Sequence, residues 1–167
     1  MATLKAMLNQ IKTTLLAAAW TGGSTKIFGT GSVMVTRYLP DEILKTTRVP
    51  GAAIMPGADQ SDPQFDEEPD LICTEVVVRV YVNIPGDAIG ENPILGGNRP
   101  LPTKSEGAGL LDVIEELYRA IGRMNIADGS NFAIQFRRKG GSPGVHMVEK
   151  VRWEYQDVIF EAWHTAN

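Results

Sequence analysis

Three carboxylates lie close together in RWEYQDVIFEAW, an aromatic-rich stretch near the end of the sequence. They are Glu154, Asp157 and Glu161, and Asp157 with Glu161 could supply the general acid and general base of a glycosidase. The adjacent Glu67 and Glu68 form a second candidate pair, but adjacent acids in a proline-rich segment lack the rigidity that catalysis requires. No nucleophile elbow or HExxH motif accompanies either group. We therefore expect structural or solvent-facing roles for these acids, and no catalytic residue.

The sequence also offers few residues for binding a metal or a cofactor. Its one cysteine, Cys73, begins an apolar strand and is expected to be a buried thiol. With His146 and His164 as the two histidines, no zinc-site spacing can be assembled. The glycine-rich FGTGS at residues 28–32 lacks the lysine and the following helix of a phosphate-binding loop, so we interpret it as a turn. We predict neither metal nor cofactor.

Composition favours one globular domain. The chain has 167 residues and 43% hydrophobic content, which suffices for a single core over residues 1–167. A net charge of −4 argues against a general grip on nucleic acid, because phosphate binding relies on clustered Lys and Arg. The apolar run from Leu15 to Trp20 is far shorter than the ~20 residues of a membrane span. Lys5 and Lys12 interrupt the first helix and disfavour a secretory signal, so we expect synthesis in the cytoplasm without a membrane partner.

Hydrophobic periodicity predicts an α+β fold, with two helices packed on a mainly antiparallel or mixed sheet. The predicted order is a helix at 3–19, a strand at 31–39, a strand at 74–84, a helix at 109–124 and a C-terminal hairpin. In the hairpin, Phe132, Ile134 and Phe136 form one strand, KGGSPG forms the turn and Val145 begins the return strand.

The two central strands have distinct patterns. Alternate residues from Thr74 to Ile84 form a core face, while the opposite face is mixed and suits a partly covered surface. In the last strand the apolar phase shifts between Tyr155 and Val158, which indicates either a bulge or coverage on both faces. Under either interpretation, Glu154 is expected to face away from the main core.

Two long segments, residues 49–70 and 85–108, hold eight of the ten prolines, and we predict that neither belongs to a regular element. The first is a spacer, or else an acidic surface that repels DNA or attracts a basic partner. The second carries the apolar pair Ile94 and Leu95, together with Arg99, and suggests an arm that docks on another chain. The acidic residues of the first segment are Asp59, Asp62, Asp66, Glu67, Glu68 and Asp70.

A basic strip surrounds the predicted hairpin, and its members are Arg137, Arg138, Lys139, Lys150 and Arg152. With an acidic segment elsewhere, we expect the molecule to have one negative and one positive end. Such polarity suits head-to-tail contacts between copies, which is the geometry that generates rings.

The order of these features resembles that of tail terminator proteins, also called tail completion proteins, of long-tailed bacteriophages. The resemblance rests on the N-terminal amphipathic helix, the strand VMVTRYLPDEIL, the segment RVPGAAIMPG, the strand EVVVRVYVNI, the helix GLLDVIEELYRAI and the closing VRWEYQDVIFEAW. The resemblance covers most of the chain in the order of its elements. No invariant chemical motif defines the family.

The resemblance implies a homo-oligomeric ring, commonly hexameric, that caps the head-proximal end of the tail tube in the virion after assembly in the host cytoplasm. Its partners would be the tail tube protein and the head connector or stopper protein, and DNA would pass through the bore without specific binding. The acidic segment would then line the bore, and the arm with Ile94, Leu95 and Arg99 would reach a neighbour or the tube. The expected intersubunit charges are Arg79, Arg137, Arg138, Lys139, Arg152, Glu154 and Asp157.

Two alternatives remain open. One is another neck or tail component, such as a connector or a tube-like protein. The other is a small-molecule-binding or hydrolytic α+β domain with a cavity between the sheet and the helix at 109–124. A pocket lined by Asp157, Glu161 and His146 would indicate this last class.

Overall fold

The computed structural model describes residues 4–46, 49–60, 71–83, 108–122, 136–138 and 140–165. Most of the acidic segment, from Asp62 to Asp70, lies outside the described residues. The same holds for the arm residues Ile94, Leu95 and Arg99 and for Lys139. For Asp59, Arg137 and Arg138 the structure describes the backbone alone.

Helices and strands combine in an α+β fold, as predicted. The elements in chain order are α1 (Leu4–Ala17), β1 (Val33–Val35), α2 (Asp41–Thr46), β2 (Gly51–Gln60), β3 (Leu71–Val82), α3 (Leu110–Gly122), β4 (Phe136–Arg138), β5 (Pro143–Val148) and β6 (Val151–Thr165). Six strands form one mixed sheet in the order β1-β2-β3-β6-β4, and β5 also pairs with β6. The β1–β2 pair is parallel, and the other pairs are antiparallel.

One face of the sheet, which we call the helix face, packs against α1 and α3. Each helix has an apolar stripe at helical spacing, as the sequence predicted, and buries it against alternate residues of β3 and β6. Val76, Val78 and Val80 on β3 are completely buried there. Burial of this kind contributes about 1.5–3 kcal/mol for each large apolar side chain, so this face holds the main core.

The opposite face, which we call the second face, has a smaller core of its own. Tyr81 and Trp153 are buried there against Leu39 and Leu44, which lie just before and within α2. The register between β3 and β6 is unbroken from Leu71 to Val82, so no bulge separates the two apolar phases of β6. Coverage on both faces, the second of the two predicted explanations, is therefore confirmed.

The predicted strand at 31–39 is wrong in its second half. β1 ends at Val35, and a short helix, α2, follows Pro40. The Pro40 carbonyl accepts hydrogen bonds from the amides of Ile43 and Leu44, which opens the first turn. Proline is tolerated just before a helix because the first N–H groups there have no acceptor within the helix. Asp41 is an acidic residue of the first turn, which the helix dipole favours.

The prediction that residues 49–70 contain no regular element is also wrong, because β2 occupies residues 51–60. The Ala52 amide donates to the Ser32 carbonyl, and the Ile54 carbonyl accepts from the Thr36 amide. Even-numbered residues of β2 therefore direct their peptide groups toward β1. Pro56 lies two residues beyond Ile54, where β1 has already ended. Its missing N–H therefore removes no hydrogen bond from the sheet.

The hairpin prediction places the turn in the wrong segment. The carbonyls of Gly140 and Ser142 accept hydrogen bonds from the amides of Ile159 and Asp157, so residues 140–142 run alongside β6 and lead into β5. The chain reverses after Val148 instead, at Glu149, whose φ is 57°. The two adjacent glycines, Gly140 and Gly141, led to the prediction of a turn. In the structure, the absence of a side chain at Gly141 lets the backbone of this segment lie close to that of β6.

Candidate functional site

A cluster of charged and aromatic side chains occupies the centre of the second face. Arg79 and Asp157 are direct cross-strand partners, joined by bonds from Nε to Oδ1 at 2.6 Å and from Nη2 to Oδ2 at 2.8 Å. The guanidinium carbon lies 4.9 Å from the ring centre of Tyr38 and 4.5 Å from that of Tyr155. Both distances are within the range of cation–π attraction. We call these four residues the arginine cluster.

Tyr81 lies beside the arginine cluster and belongs to the buried core of the second face. Its ring centre is 5.8 Å from that of Tyr155 and 6.3 Å from that of His146. Burial raises the pKa of the Tyr81 phenol above its usual value, and the neighbouring Arg79 opposes that shift. The phenol therefore remains neutral at ordinary pH and does not act as a base.

Two of the predicted intersubunit charges pair within one chain. Both carboxylate oxygens of Asp157 accept hydrogen bonds from Arg79, whose pKa the bond to Asp157 raises further. The side chains retain 13% and 18% of their exposure, so little of either charge is available to another subunit. The arrangement is a rigid bidentate pair that joins β3 to β6.

The expectation that Glu154 faces away from the main core is wrong. Glu154 pairs in register with Val82, a member of the helix-face core, and only 8% of it is exposed. Arg152 forms an ion pair with it, with 2.5 Å between Nη2 and Oε1. The two groups are not oriented as a hydrogen bond. Oε1 of Glu154 is buried and has no hydrogen-bond partner among the described residues. Glu154 is therefore an internal charge of the hairpin.

The acids of the last strand do not form a catalytic pair. Glu154 lies on the helix face, whereas Asp157 and Glu161 lie on the second face at register positions opposite Arg79 and Glu75. Four residues along a strand separate the last two by about 13 Å, whereas glycosidase carboxyl groups are about 5–9.5 Å apart. The side chain of Asp157 is also held by Arg79. This geometry does not support acid–base chemistry.

His146 belongs to a contact between β5 and α2. Its Nε2 lies 3.2 Å from Oδ1 of Asp41, and a neighbouring ion pair joins Lys45 to Glu149 at 2.7 Å. These contacts fasten α2 to the hairpin of β5 and β6. The register places His146 opposite Trp153, which lies four residues along β6 from Asp157 and eight from Glu161. These spacings correspond to about 13 and 26 Å, so the three side chains do not line one pocket.

An open groove of about 580 Å³ lies where the C-terminal end of α1 meets α3. The Thr21 hydroxyl donates to Oε2 of Glu116 at 2.9 Å and accepts from Nη1 of Arg119 at 2.6 Å. Glu115, one turn before Arg119, also pairs with it. No signal in the sequence links Thr21 to Glu116, because 95 residues separate them.

The two lateral edges of the sheet expose apolar side chains. Val145 and Met147 on β5 are 47% and 55% exposed, and Val35 on β1 is 41% exposed. Within the described part of the chain, no strand lies beyond β1 or β5. These exposed edges were not predicted from the sequence, although the alternation of Val145 and Met147 around His146 is typical of a half-exposed strand.

The remaining predicted charges lie around β6. The register places Arg137 opposite Glu161 and Arg138 opposite Phe160, so the basic strip is divided between positions on the two faces. Among the described residues, no group of three or more His, Cys, Asp or Glu side chains could hold a metal ion. No helix in the described ranges is long and apolar enough to cross a membrane.

Comparison with known proteins adds no relative. No protein-family model matches the chain, and a search of curated proteins finds no match to it.

Proposed function

We propose that this chain is a structural subunit of a phage tail, forming a ring at the head-proximal end of the tail tube. The ring ends tube polymerisation and joins the tail to the head connector, while DNA passes through the bore. In this proposal the protein resides in the virion after assembly in the host cytoplasm. Its partners are further copies of itself, the tube protein and the connector protein.

One observation carries the proposal: the chain covers both faces of its sheet but leaves apolar side chains exposed at both lateral edges. Val35 lies at one edge, and Val145 and Met147 lie at the other. Exposed edge strands are a liability for a solitary protein, because their free peptide groups and apolar side chains pair with other chains. In a subunit of a ring, the same exposed edges can bind an identical copy on each side.

The chemistry of the described residues is consistent with a structural role. The bidentate charge pair of Arg79 with Asp157 joins two strands. His146 is used to join β5 to α2. These polar groups fix the register of the sheet and the position of α2, which suits a protein that works through its shape.

The acidic segment supports the same proposal from the sequence. Asp66, Glu67 and Glu68 belong to residues 49–70, a run that contains six acids and no Lys or Arg. A carboxylate lining lets DNA slide, because like charge prevents the phosphate backbone from adsorbing. We propose that the acidic residues beyond β2, from Asp62 to Asp70, face the bore.

The experiment is to measure the mass of the purified protein by light scattering and to image it by negative stain, alone and with tail tubes. The proposal expects a closed ring, or rings seated at one end of each tube. A protein that remains monomeric and unattached in both preparations contradicts it. Locating the chain in an intact particle by microscopy then distinguishes the tube end from any other position in the neck.

The bore assignment has its own test. The triple variant Asp66→Lys, Glu67→Lys and Glu68→Lys should still form rings, while DNA delivery by the particle falls. A matched triple change to Asn, Gln and Gln removes charge without adding any and should have a smaller effect. Unchanged infectivity of the lysine variant removes the bore assignment and leaves the ring itself in place.

A further inference from the structure

The two edges of the sheet differ in a way that allows one copy to continue the sheet of the next. We infer that the ring closes by pairing β5 of one copy with β1 of its neighbour, an inference that rests on the proposed function. The contact would be heterologous, since two different surfaces meet, and would repeat around the ring.

The hydrogen bonds to β6 identify which peptide groups of β5 point away from the sheet. The Ser142 carbonyl accepts from Asp157 of β6, so even-numbered residues of this segment direct their peptide groups inward. Successive peptide groups along a strand point to opposite sides. Val145 and Met147 therefore direct their N–H and C=O groups away from the sheet, where a further strand would bind them.

The same argument applies to β1. The amide of Thr36 donates to Ile54 of β2, and the carbonyl of Ser32 accepts from Ala52. Even-numbered residues in and beside β1 thus direct their peptide groups toward β2. The peptide group of Val35 points outward, and its side chain is exposed.

The exposed apolar side chains lie on the same face of the sheet at both edges. Val35 pairs in register with Ile54, which belongs to the helix-face core. Val145 pairs with Glu154, whose partner Val82 belongs to that same core. Because face is preserved along a continuous sheet, Val145 and Met147 of one copy would pack beside Val35 of the next. Cross-strand apolar pairs of this kind stabilise a sheet.

Strand direction also agrees. β1 and β2 are parallel, and three antiparallel steps through β3 and β6 give β5 the direction opposite to β1. A copy that follows along the sheet without inversion therefore places its β1 antiparallel to β5. Pairing β5 with β5 would instead require a two-fold axis and would stop at a dimer.

Cysteine cross-linking tests this junction. The double variants Val35→Cys with Val145→Cys, and Val35→Cys with Met147→Cys, cover the two registers that bring outward-facing residues opposite each other. Hydrogen-bonded cross-strand pairs have Cα atoms about 5.5 Å apart, which is within disulfide range. Under mild oxidation at least one double variant should give a ladder of multimers on a denaturing gel, collapsing to monomer on reduction.

Three controls accompany the double variants. Each single variant should remain monomeric on the gel, because a heterologous junction brings no residue next to its own copy. Wild-type protein, which retains buried Cys73, should not cross-link. The pair Leu111→Cys with Val145→Cys should not form a ladder, since Leu111 is equally exposed but lies on α3. Circular dichroism confirms that each variant is folded.

The outcomes separate this inference from the proposed function. A ladder from a double variant with monomeric controls supports the junction. Dimers from Val145→Cys alone, without higher multimers, overturn it in favour of a two-fold contact. Rings seen in the microscope without cross-links in either double variant also overturn it, while the proposed function stands. Absence of rings, with and without tail tubes, together with absence of cross-links contradicts both.

Discussion

Arg79 and Asp157 stand directly opposite each other on β3 and β6 and are joined by two parallel hydrogen bonds. The pair lies in the central strand pair of the sheet, and Tyr38 and Tyr155 bracket the guanidinium group. Tyr38 precedes α2, so the same arginine contacts the segment that carries Leu39 into the core of the second face. Arg79 thus pairs β3 with β6 through Asp157 and also contacts the segment before α2 that covers the second face.

Removing one partner of this pair should destabilise the protein. Arg79→Met leaves the Asp157 carboxylate partly desolvated without its two donors, and we expect a loss of about 2 kcal/mol. Asp157→Leu should have a similar effect. The double variant should lose less than the sum of the two, because no unpaired charge remains. Urea unfolding of the four proteins measures these free energies.

The exposed ion pair between Lys45 and Glu149 provides the comparison. Lys45→Met should change the midpoint of urea unfolding much less than Arg79→Met does, because solvent screens an exposed pair. Equal shifts for the two substitutions would contradict the central role assigned to Arg79.

Tyr81 should make stability fall at alkaline pH. Burial raises the pKa of this phenol in the folded protein above 10.0, its value in an unfolded chain. Between these two pKa values the unfolded state has released the proton and the folded state has kept it, so stability decreases as pH rises. The contribution is fully present below about pH 10 and is lost above the folded pKa.

Tyr81→Phe tests this linkage because it removes the titrating hydroxyl and keeps the ring. At pH 8 the variant should be less stable than wild type, since the phenol also bonds to the backbone of Leu39. The difference should shrink as pH rises from 9 toward 11.5. A difference that stays constant over that interval, measured by urea unfolding, would show that Tyr81 titrates alike in both states.

The helices and central strands could be predicted because their signals are local. The apolar stripes of α1 and α3 repeat at helical spacing, and β3 alternates at every second residue. β2 was not predicted because Pro56 suggests a loop. Proline is compatible with this strand only because β1 ends before Pro56, and the sequence does not show where β1 ends. The reversal at Glu149 was missed because Gly140 and Gly141 give a stronger turn signal than Glu149 does.

The partners of the charged residues could not be predicted, for a different reason. Arg79 and Asp157 are 78 residues apart, and their pairing depends on the register between two strands. A one-residue slip would place each beside a different neighbour. The sequence therefore identified both as charges that need a partner, but it could not show that each is the partner of the other. Glu154 was assigned to the wrong face because its strand is apolar on both.

Gly141 should be intolerant of any side chain. A Cβ built there would lie 1.4 Å from the carbonyl oxygen of Asp157, so this segment would have to leave β6. We expect Gly141→Ala to cost roughly 4 kcal/mol or more, the range of severe core disruptions. Gly140→Ala is the matched control: its φ of 81° strains a side chain, but no atom lies within 4 Å. It should cost about 1–2 kcal/mol, and thermal unfolding that ranks the two variants equally would contradict the close approach.

Glu116 and Glu115 should differ in importance although both pair with Arg119. Glu116 is 11% exposed and also accepts hydrogen bonds from the amide and hydroxyl of Thr21, whereas Glu115 is 67% exposed. Glu116→Ala should therefore cost about 0.5–1.5 kcal/mol, because it removes the hydrogen bonds that Glu116 accepts from Thr21, and water replaces them only in part.

Glu115→Ala removes only the exposed pair and should cost below about 0.5 kcal/mol. Raising the salt concentration should reduce the effect of Glu115→Ala more than that of Glu116→Ala, since screening acts on exposed charges. Urea unfolding at two salt concentrations measures both differences. Equal and equally salt-sensitive losses would mean that Thr21 gains nothing from Glu116, and that the end of α1 is held to α3 by apolar packing alone.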